Sequence, residues 1–154
     1  MKTIFITGAT SGIGKATAIL LAKQKNRIIL CGRNKSVLEE LKSDLSKETE
    51  VFTLCFDVRN SDEVFDAINS LPEDWKNIDV LINNAGNAHG LDSISEGNID
   101  DWNVMMDGNV KGLLYVSQPI IKLMKEKQNG QIINISSVAA RQTYPNGVLY
   151  CSSK

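Results

Sequence analysis

The chain has 154 residues, 42% of them hydrophobic, which is enough for one domain built around a single core. A formal net charge of −1 and a pI near 5.8 exclude the broad cationic field that binds nucleic acid or an anionic membrane surface. No run of apolar residues reaches membrane-spanning length, and Met1-Lys2 leads into strand-like sequence rather than a signal peptide.

The first element is a β-branched run from Lys2 to Thr7, a predicted strand that ends at a glycine-rich turn, Gly8-Ala9-Thr10-Ser11-Gly12-Ile13-Gly14. A helical stretch from Lys15 to Ala22 follows. Short Val- and Ile-rich segments then predict strands at Arg27–Gly32, Val51–Phe56, Ile78–Asn83 and Gln131–Ser136. Between them, the apolar spacing of Ser36–Ser46 and Asp62–Leu71 has the period of amphipathic helices. Trp102–Lys127 is a longer helix, apolar over more than one stripe, so we expect it to be buried on more than one side and to serve as a homo-oligomeric contact. Pro119 should bend that helix or end it locally. Alternation of this kind predicts an α/β fold, a doubly wound parallel sheet of Rossmann type with right-handed crossovers. Ligands of such a sheet sit at the carboxyl ends of its strands.

Two motifs lie at those ends. In the first turn, glycines let backbone N–H groups approach a pyrophosphate, and the helix N-terminus behind them carries unsatisfied donors and a partial positive charge. Gly8, Thr10, Ser11, Gly12, Ile13 and Gly14 are therefore candidate cofactor-binding residues, although the spacing Gly-x-x-x-Gly-x-Gly differs from the commoner dinucleotide fingerprint. At the other end of the chain, Tyr150 and Lys154 stand one helical turn apart on one face. A free tyrosine has a pKa of about 10 and is a poor base near neutrality unless a positive charge favours its phenolate. Lys154 can be that charge, but by itself the spacing describes equally well an aromatic ring beside a solvated lysine.

Taken together the motifs resemble the short-chain dehydrogenase/reductase family along the whole chain. They are the turn Thr7–Gly14, Asp57-Val58 after the third strand, Asn83-Asn84-Ala85-Gly86 after the fourth, Asn109–Gly112 in the long helix, Ile135-Ser136-Ser137 after the fifth strand, and Tyr150–Lys154. Within the family, Leu71–Asp79 and Arg141–Gly147 look like the NADP-dependent 3-hydroxy acid dehydrogenases that oxidise serine and allo-threonine. The resemblance implies hydride transfer between NADP(H) and the carbinol or carbonyl carbon of a small hydroxy acid. A 3-oxoacyl-thioester reductase and a non-catalytic nucleotide-binding fragment are the alternatives. It further implies a catalytic set of Asn109, Ser137, Tyr150 and Lys154. Tyr150 would exchange the proton, Lys154 would support the phenolate and hold the ribose, Ser137 would hydrogen-bond the substrate oxygen, and Asn109 would anchor a relay water. The competing readings are turn chemistry for Ser136 and Ser137, preferred for Ser136, and a backbone-bonded buried asparagine for Asn109.

After the second strand the chain has Gly32-Arg33-Asn34. Enzymes that read NAD place a carboxylate there for the ribose hydroxyls, whereas Arg33 offers a forked cation suited to a 2′-phosphate; the expected cofactor is NADP. Asn34, Asp57, Val58, Asn84, Tyr150 and Lys154 complete the expected cofactor contacts, with Asp57 and Val58 beside the adenine. Asn83 and Gly86 are expected to secure the turn and His89 to be a loop residue near the cofactor; Lys15 either assists Arg33 or is plain helix surface, the commoner reading. Arg141 is the nearest cation for a substrate carboxylate, although a solvent-facing position suits it as well. Three unclustered cysteines and one histidine suit reduced thiols in a cytoplasm and argue against a metal site. Measured against the family, the chain stops at the candidate lysine. The expectation is a single domain over residues 1–154, lacking its carboxy-terminal part, marginally stable and inactive as an isolated span.

Overall fold

The computed structural model describes residues 1–154. Five strands, β1 (Thr3–Ile6), β2 (Arg27–Gly32), β3 (Val51–Cys55), β4 (Val80–Asn83) and β5 (Gln131–Asn134), form one sheet in the order β3-β2-β1-β4-β5. All neighbours are parallel. The order reverses between β1 and β4, where a doubly wound sheet opens its crevice. Each predicted strand is present. Residues expected in the strands but absent from them lie at strand ends, where the chain has begun to turn.

Helices α1 (Gly12–Lys23) and α2 (Lys35–Leu45) cover one face of the sheet. The other face is covered by α3 (Ser61–Asn69) and α5 (Gly112–Glu126). Because successive strand residues point to opposite faces, Ile4, Ile6, Ile28 and Leu30 pack under α1 and α2, while Phe5, Ile29 and Leu81 pack under α3 and α5. This two-sided burial explains why the inner strands read as unbroken apolar runs. Burying each of those side chains stabilises the fold by about 1.5–3 kcal/mol. The outer strand β5 departs from the pattern. It has no strand on its far side, and its four residues are exposed, with Ile132 at 40% and Ile133 at 37%.

The long predicted helix is three segments: α4 (Ile99–Met105), a π-helical turn (Met106–Lys111) and α5. Its interruption is therefore not at Pro119, which lies inside α5 while the helix runs on to Glu126. Val116, Ile120 and Met124 of α5 are in the core, whereas Leu114 on the remaining surface is exposed. Within one chain only part of the apolar surface of this helix is covered.

Below the sheet, the segment after α3 is pinned through Trp75. The Arg27 guanidinium lies 4.1 Å over the Trp75 ring and donates to the backbone oxygen and the carboxylate of Asp74, both at 2.9 Å. Phe52 packs at 5.4 Å from the same ring. Area burial and the cation–ring contact act together here. Trp75→Ala is expected to lower the unfolding free energy by about 3–5 kcal/mol, read as a lower urea midpoint with an unchanged slope; a midpoint within experimental error of wild type would show that the ring is not part of the core.

Candidate active site

The reversal between β1 and β4 opens a groove of about 450 Å³ along the carboxyl ends of the strands. Its floor is the glycine turn. Gly8 and Gly12 adopt φ of +63° and +51°, in the left-handed region that glycine enters without cost. Gly14 has a different function: a Cβ there would run into the Gly8 carbonyl and the Asn84 amide, so only hydrogen lets α1 close on the turn. The turn is held from the next strand by Asn84, whose Nδ2 donates to the carbonyls of Thr7 at 3.0 Å and Gly8 at 3.2 Å. In return, Thr7 Oγ1 accepts the N–H groups of Asn84 and Ala85, both at 3.0 Å.

The helix behind this turn is uncapped. Helices α2, α3 and α4 each open on an asparagine, Asn34, Asn60 and Asn98, whose side chain accepts backbone N–H bonds. Helix α1 opens on Ser11, whose side chain accepts none. Ser11, Gly12 and Ile13 line the groove, so the donors left over at this end face it. Shape, backbone conformation and donor set all fit a dinucleotide pyrophosphate.

At the far end of the groove Arg33 is 70% exposed, and its guanidinium makes no hydrogen bond. Asp57 and Val58 also line this end. The sequence reading missed Arg59, whose side chain grips Asp57 through Nε at 3.0 Å from both oxygens and Nη2 at 2.6 Å from Oδ2. Chiefly through the hydrogen bond from Arg59, the Asp57 carboxyl is held below the ordinary carboxylate range. The spacing Asp57-x-Arg59 at a strand end was the available signal. Four expected cofactor residues, Gly14, Asn34, Tyr150 and Lys154, do not line the groove. Gly14 is behind the turn, and Asn34 is occupied as the α2 cap, accepting from Val37 N at 3.2 Å.

The other candidates gather where β4, the π turn and α6 (Val148–Ser153) meet. Asn109 is buried in the π turn, an irregularity often found at functional positions. Its Oδ1 accepts from Asn87 N at 2.8 Å, while Nδ2 donates to Asn87 O and Ser153 Oγ, both at 2.9 Å. A Cβ on Gly86 would meet Asn109 Oδ1 at 3.1 Å and Lys154 Nζ at 3.2 Å. Gly86 was expected to secure a turn; its φ is not positive, and what it supplies is room for the lysine. Lys154 Nζ donates to Ile135 O at 3.3 Å and lies 6.0 Å from the centre of the Tyr150 ring.

Helix α6 is too short to persist by itself. Ser136 Oγ donates to the Lys154 backbone oxygen at 2.6 Å, which together with the Asn109–Ser153 bond fastens it to β5 and the π turn. Ser136 is thus structural, while Ser137 caps a short turn by accepting from Ala139 N at 3.2 Å and keeps its own hydroxyl proton to donate. Asn83 does not secure the turn either: it donates to Ser117 Oγ and Asn134 Oδ1, both at 2.9 Å, linking β4 to α5 and β5.

Tyr150, His89 and Arg141 are absent from the groove lining. Tyr150 lines a small recess with His89, Asp101 and Trp102. His89 is therefore beside the tyrosine and not beside the cofactor groove. Arg141 is exposed and lines neither the groove nor this recess.

A parallel 3-2-1-4-5 sheet with a glycine turn at its switch point defines a Rossmann-type nucleotide-binding fold. The chain belongs to the short-chain dehydrogenase family, whose model, described as short chain dehydrogenase, matches residues 2–154. It is 42% identical over 156 residues to an NADP-dependent 3-hydroxy acid dehydrogenase of Schizosaccharomyces pombe, covering 99% of this chain and 60% of the relative. To an Escherichia coli K12 protein of the same description it is 37% identical over 151 residues, covering 98% of this chain and again 60% of the relative. Among solved structures, the closed form of serine dehydrogenase complexed with NADP+ superposes with a TM-score of 0.92 at 37% identity, over 99% of this chain and 60% of that one. An NAD+-bound xylitol dehydrogenase superposes with a TM-score of 0.94 at 30% identity, over 99% of this chain and 59% of that one. The chain thus spans about 60% of the length of these relatives. No helix is long and apolar enough to cross a membrane.

Asn109→Ala would leave the Asn87 N–H and carbonyl without their partner. The expected cost is about 1–3 kcal/mol, with faster amide exchange around Asn87 and Ser153; unchanged exchange at both would show that these bonds do not hold α6.

Proposed function

We propose that the full-length protein is an NADP-dependent oxidoreductase acting on a small 3-hydroxy acid. The observation that carries the reading is the packing of Lys154 Nζ and Asn109 against Gly86, beside a groove whose opposite end presents the exposed Arg33 guanidinium, which makes no hydrogen bond and only a 3.7 Å ion-pair contact with Asp57. The likeness to NADP-dependent 3-hydroxy acid dehydrogenases supports the substrate class. When bound, the cofactor supplies the carbon centre that accepts a hydride in oxidation and gives it back in reduction. The chain's own residues do the rest. The uncapped end of α1 receives the pyrophosphate, and Arg33 binds the 2′-phosphate through charge-assisted bonds. Asp57 and Val58 stand by the adenine.

In oxidation, Tyr150 takes the proton of the substrate hydroxyl as the carbon gives up its hydride; in reduction it returns that proton to the developing alkoxide. Lys154 supports the negative phenolate electrostatically and holds the nicotinamide ribose. Ser137 donates its free hydroxyl proton to the substrate oxygen, placing a hydrogen bond where charge develops. Asn109 fixes the backbone around Asn87 and anchors the water that passes protons to Lys154. Copies of the protein pair through α5, whose Leu114 and Ile121 flank an open apolar groove. Sedimentation of the full-length protein is expected to show a dimer or larger assembly, and Leu114→Glu to weaken it; a monomeric wild type would remove this part of the proposal.

The test of the chemistry is Tyr150→Phe in the full-length protein, which keeps the ring and removes only the hydroxyl. Turnover of serine or 3-hydroxypropionate with NADP+ should fall by at least about a thousandfold, the upper part of the range for a positioned acid–base group, while NADPH binding stays within about twofold. Most of the activity surviving would assign proton transfer elsewhere. Turnover confined to acyl thioesters would replace the hydroxy acid by that substrate class.

A further inference from the structure

Asp57 is the one carboxylate among the groove-lining residues, and it stands at the end where Arg33 waits. The Asp57 Oδ2 atom is 3.7 Å from Arg33 Nη1, a loose ion-pair contact that is too long for a hydrogen bond. What occupies the carboxylate is Arg59. Oδ1 accepts both the backbone N–H of Arg59 and its Nε at 3.0 Å, and Oδ2 accepts Nη2 at 2.6 Å.

We propose that Arg59 is a positioning residue for cofactor specificity: by neutralising and saturating Asp57 it leaves the Arg33 guanidinium free for a 2′-phosphate. The inference rests on the reading of the groove as an NADP site. Without Arg59, a bare carboxylate would stand beside the phosphate and draw Arg33 from its present 3.7 Å contact into a hydrogen-bonded pair. Both effects act against a charged 2′ substituent, and neither acts on a neutral 2′-hydroxyl, so the consequence falls on NADPH and spares NADH. The Asp57 backbone is also held independently, since its N–H donates to Glu63 Oε2 at 3.1 Å and Glu63 is in turn locked to the α3 cap Asn60 at 2.9 Å. Removing the Arg59 side chain therefore changes charge at the site more than it changes the shape of the loop. Burial opposes ionisation of Asp57, yet the bonds from Arg59 outweigh it and the Arg59 guanidinium is reciprocally stabilised, so both groups remain charged across the neutral range.

The experiment titrates NADPH and NADH against full-length wild type, Arg59→Met, Arg59→Lys, the double variant Asp57→Asn/Arg59→Met, and Arg33→Ala. Arg59→Met is expected to weaken NADPH by about tenfold, the effect of one uncompensated charge in a partly solvated site, and NADH by less than about threefold. Removing the carboxylate as well, in the double variant, should recover most of the NADPH affinity. Arg59→Lys keeps the cation and should retain the preference even if the less conservative variant fails to fold. Equal weakening of both cofactors by Arg59→Met, no recovery in the double variant, or loss of preference in Arg59→Lys would each overturn the role given to Arg59. Arg33→Ala separates this from the larger reading: it should abolish the preference. If wild type binds NADPH no better than NADH, the NADP reading itself falls and takes the role of Arg59 with it; if Arg33→Ala keeps the preference, the 2′-phosphate is not read by Arg33 and the role of Arg59 falls while the NADP reading stands. A preference lost in Arg33→Ala but kept in Arg59→Met overturns Arg59 alone.

Discussion

The Asn84 amide donates to the carbonyls of Thr7 and Gly8 at 3.0 and 3.2 Å, and the rest of the site depends on that pair of bonds. They join the carboxyl ends of β1 and β4 where the strand order reverses, so the crevice opened by the topology becomes a groove of fixed width. Three small residues are needed for the join. Gly8 takes the left-handed backbone, Gly14 lets α1 approach the Gly8 carbonyl, and Ala85 lies against the turn without filling it. A larger side chain at Gly14 would push α1 away and move its N-terminal donors off the groove at the same time.

The same strand end reaches the other half of the site two residues later. Gly86 has no side chain, and Asn109 and Lys154 close into that space from the π turn and α6. The segment after β4 thus sets the glycine turn through Asn84 and the approach of Lys154 through Gly86. A helix as short as α6 is held from two sides by Ser136 and Asn109, and Lys154 adds a bond to the Ile135 carbonyl at 3.3 Å. Of the bonds from Ser136 and Asn109, one ends on the Lys154 backbone oxygen and the other on the Ser153 hydroxyl.

Electrostatics along the groove follow the same division. The end nearest the glycine turn offers uncapped backbone donors, and the far end offers Arg33, with the intervening carboxylate of Asp57 matched by Arg59. Exposed pairs of opposite charge contribute little to stability as a rule. In the proposed site, the pair of Arg59 and Asp57 would matter through the charge that it removes from the groove.

How much of this could be read in advance follows from the range of each signal. The sequence by itself determined the five strands, the glycine turn and the Tyr150–Lys154 face, because period-2 and period-3.6 patterns and one-turn spacings are local properties of the chain. It also singled out Arg33, since the residue after the second strand of such a fold is set by connectivity. Asn109 was picked as a site residue, but its bonds to Asn87 and Ser153 and the π turn that carries it were not legible, because i to i+5 bonding leaves no periodic trace. Nor was the true interruption of the long helix, which Pro119 suggested at the wrong place. Only the tertiary structure decided that Gly86 makes room for Lys154, that Asn34 is a cap outside the groove, that Ser136 holds the helix while Ser137 keeps a free proton, and that Arg59 occupies Asp57. Each of these depends on which atoms meet after strands far apart in sequence are laid side by side, and spacing along a chain carries no record of that distance.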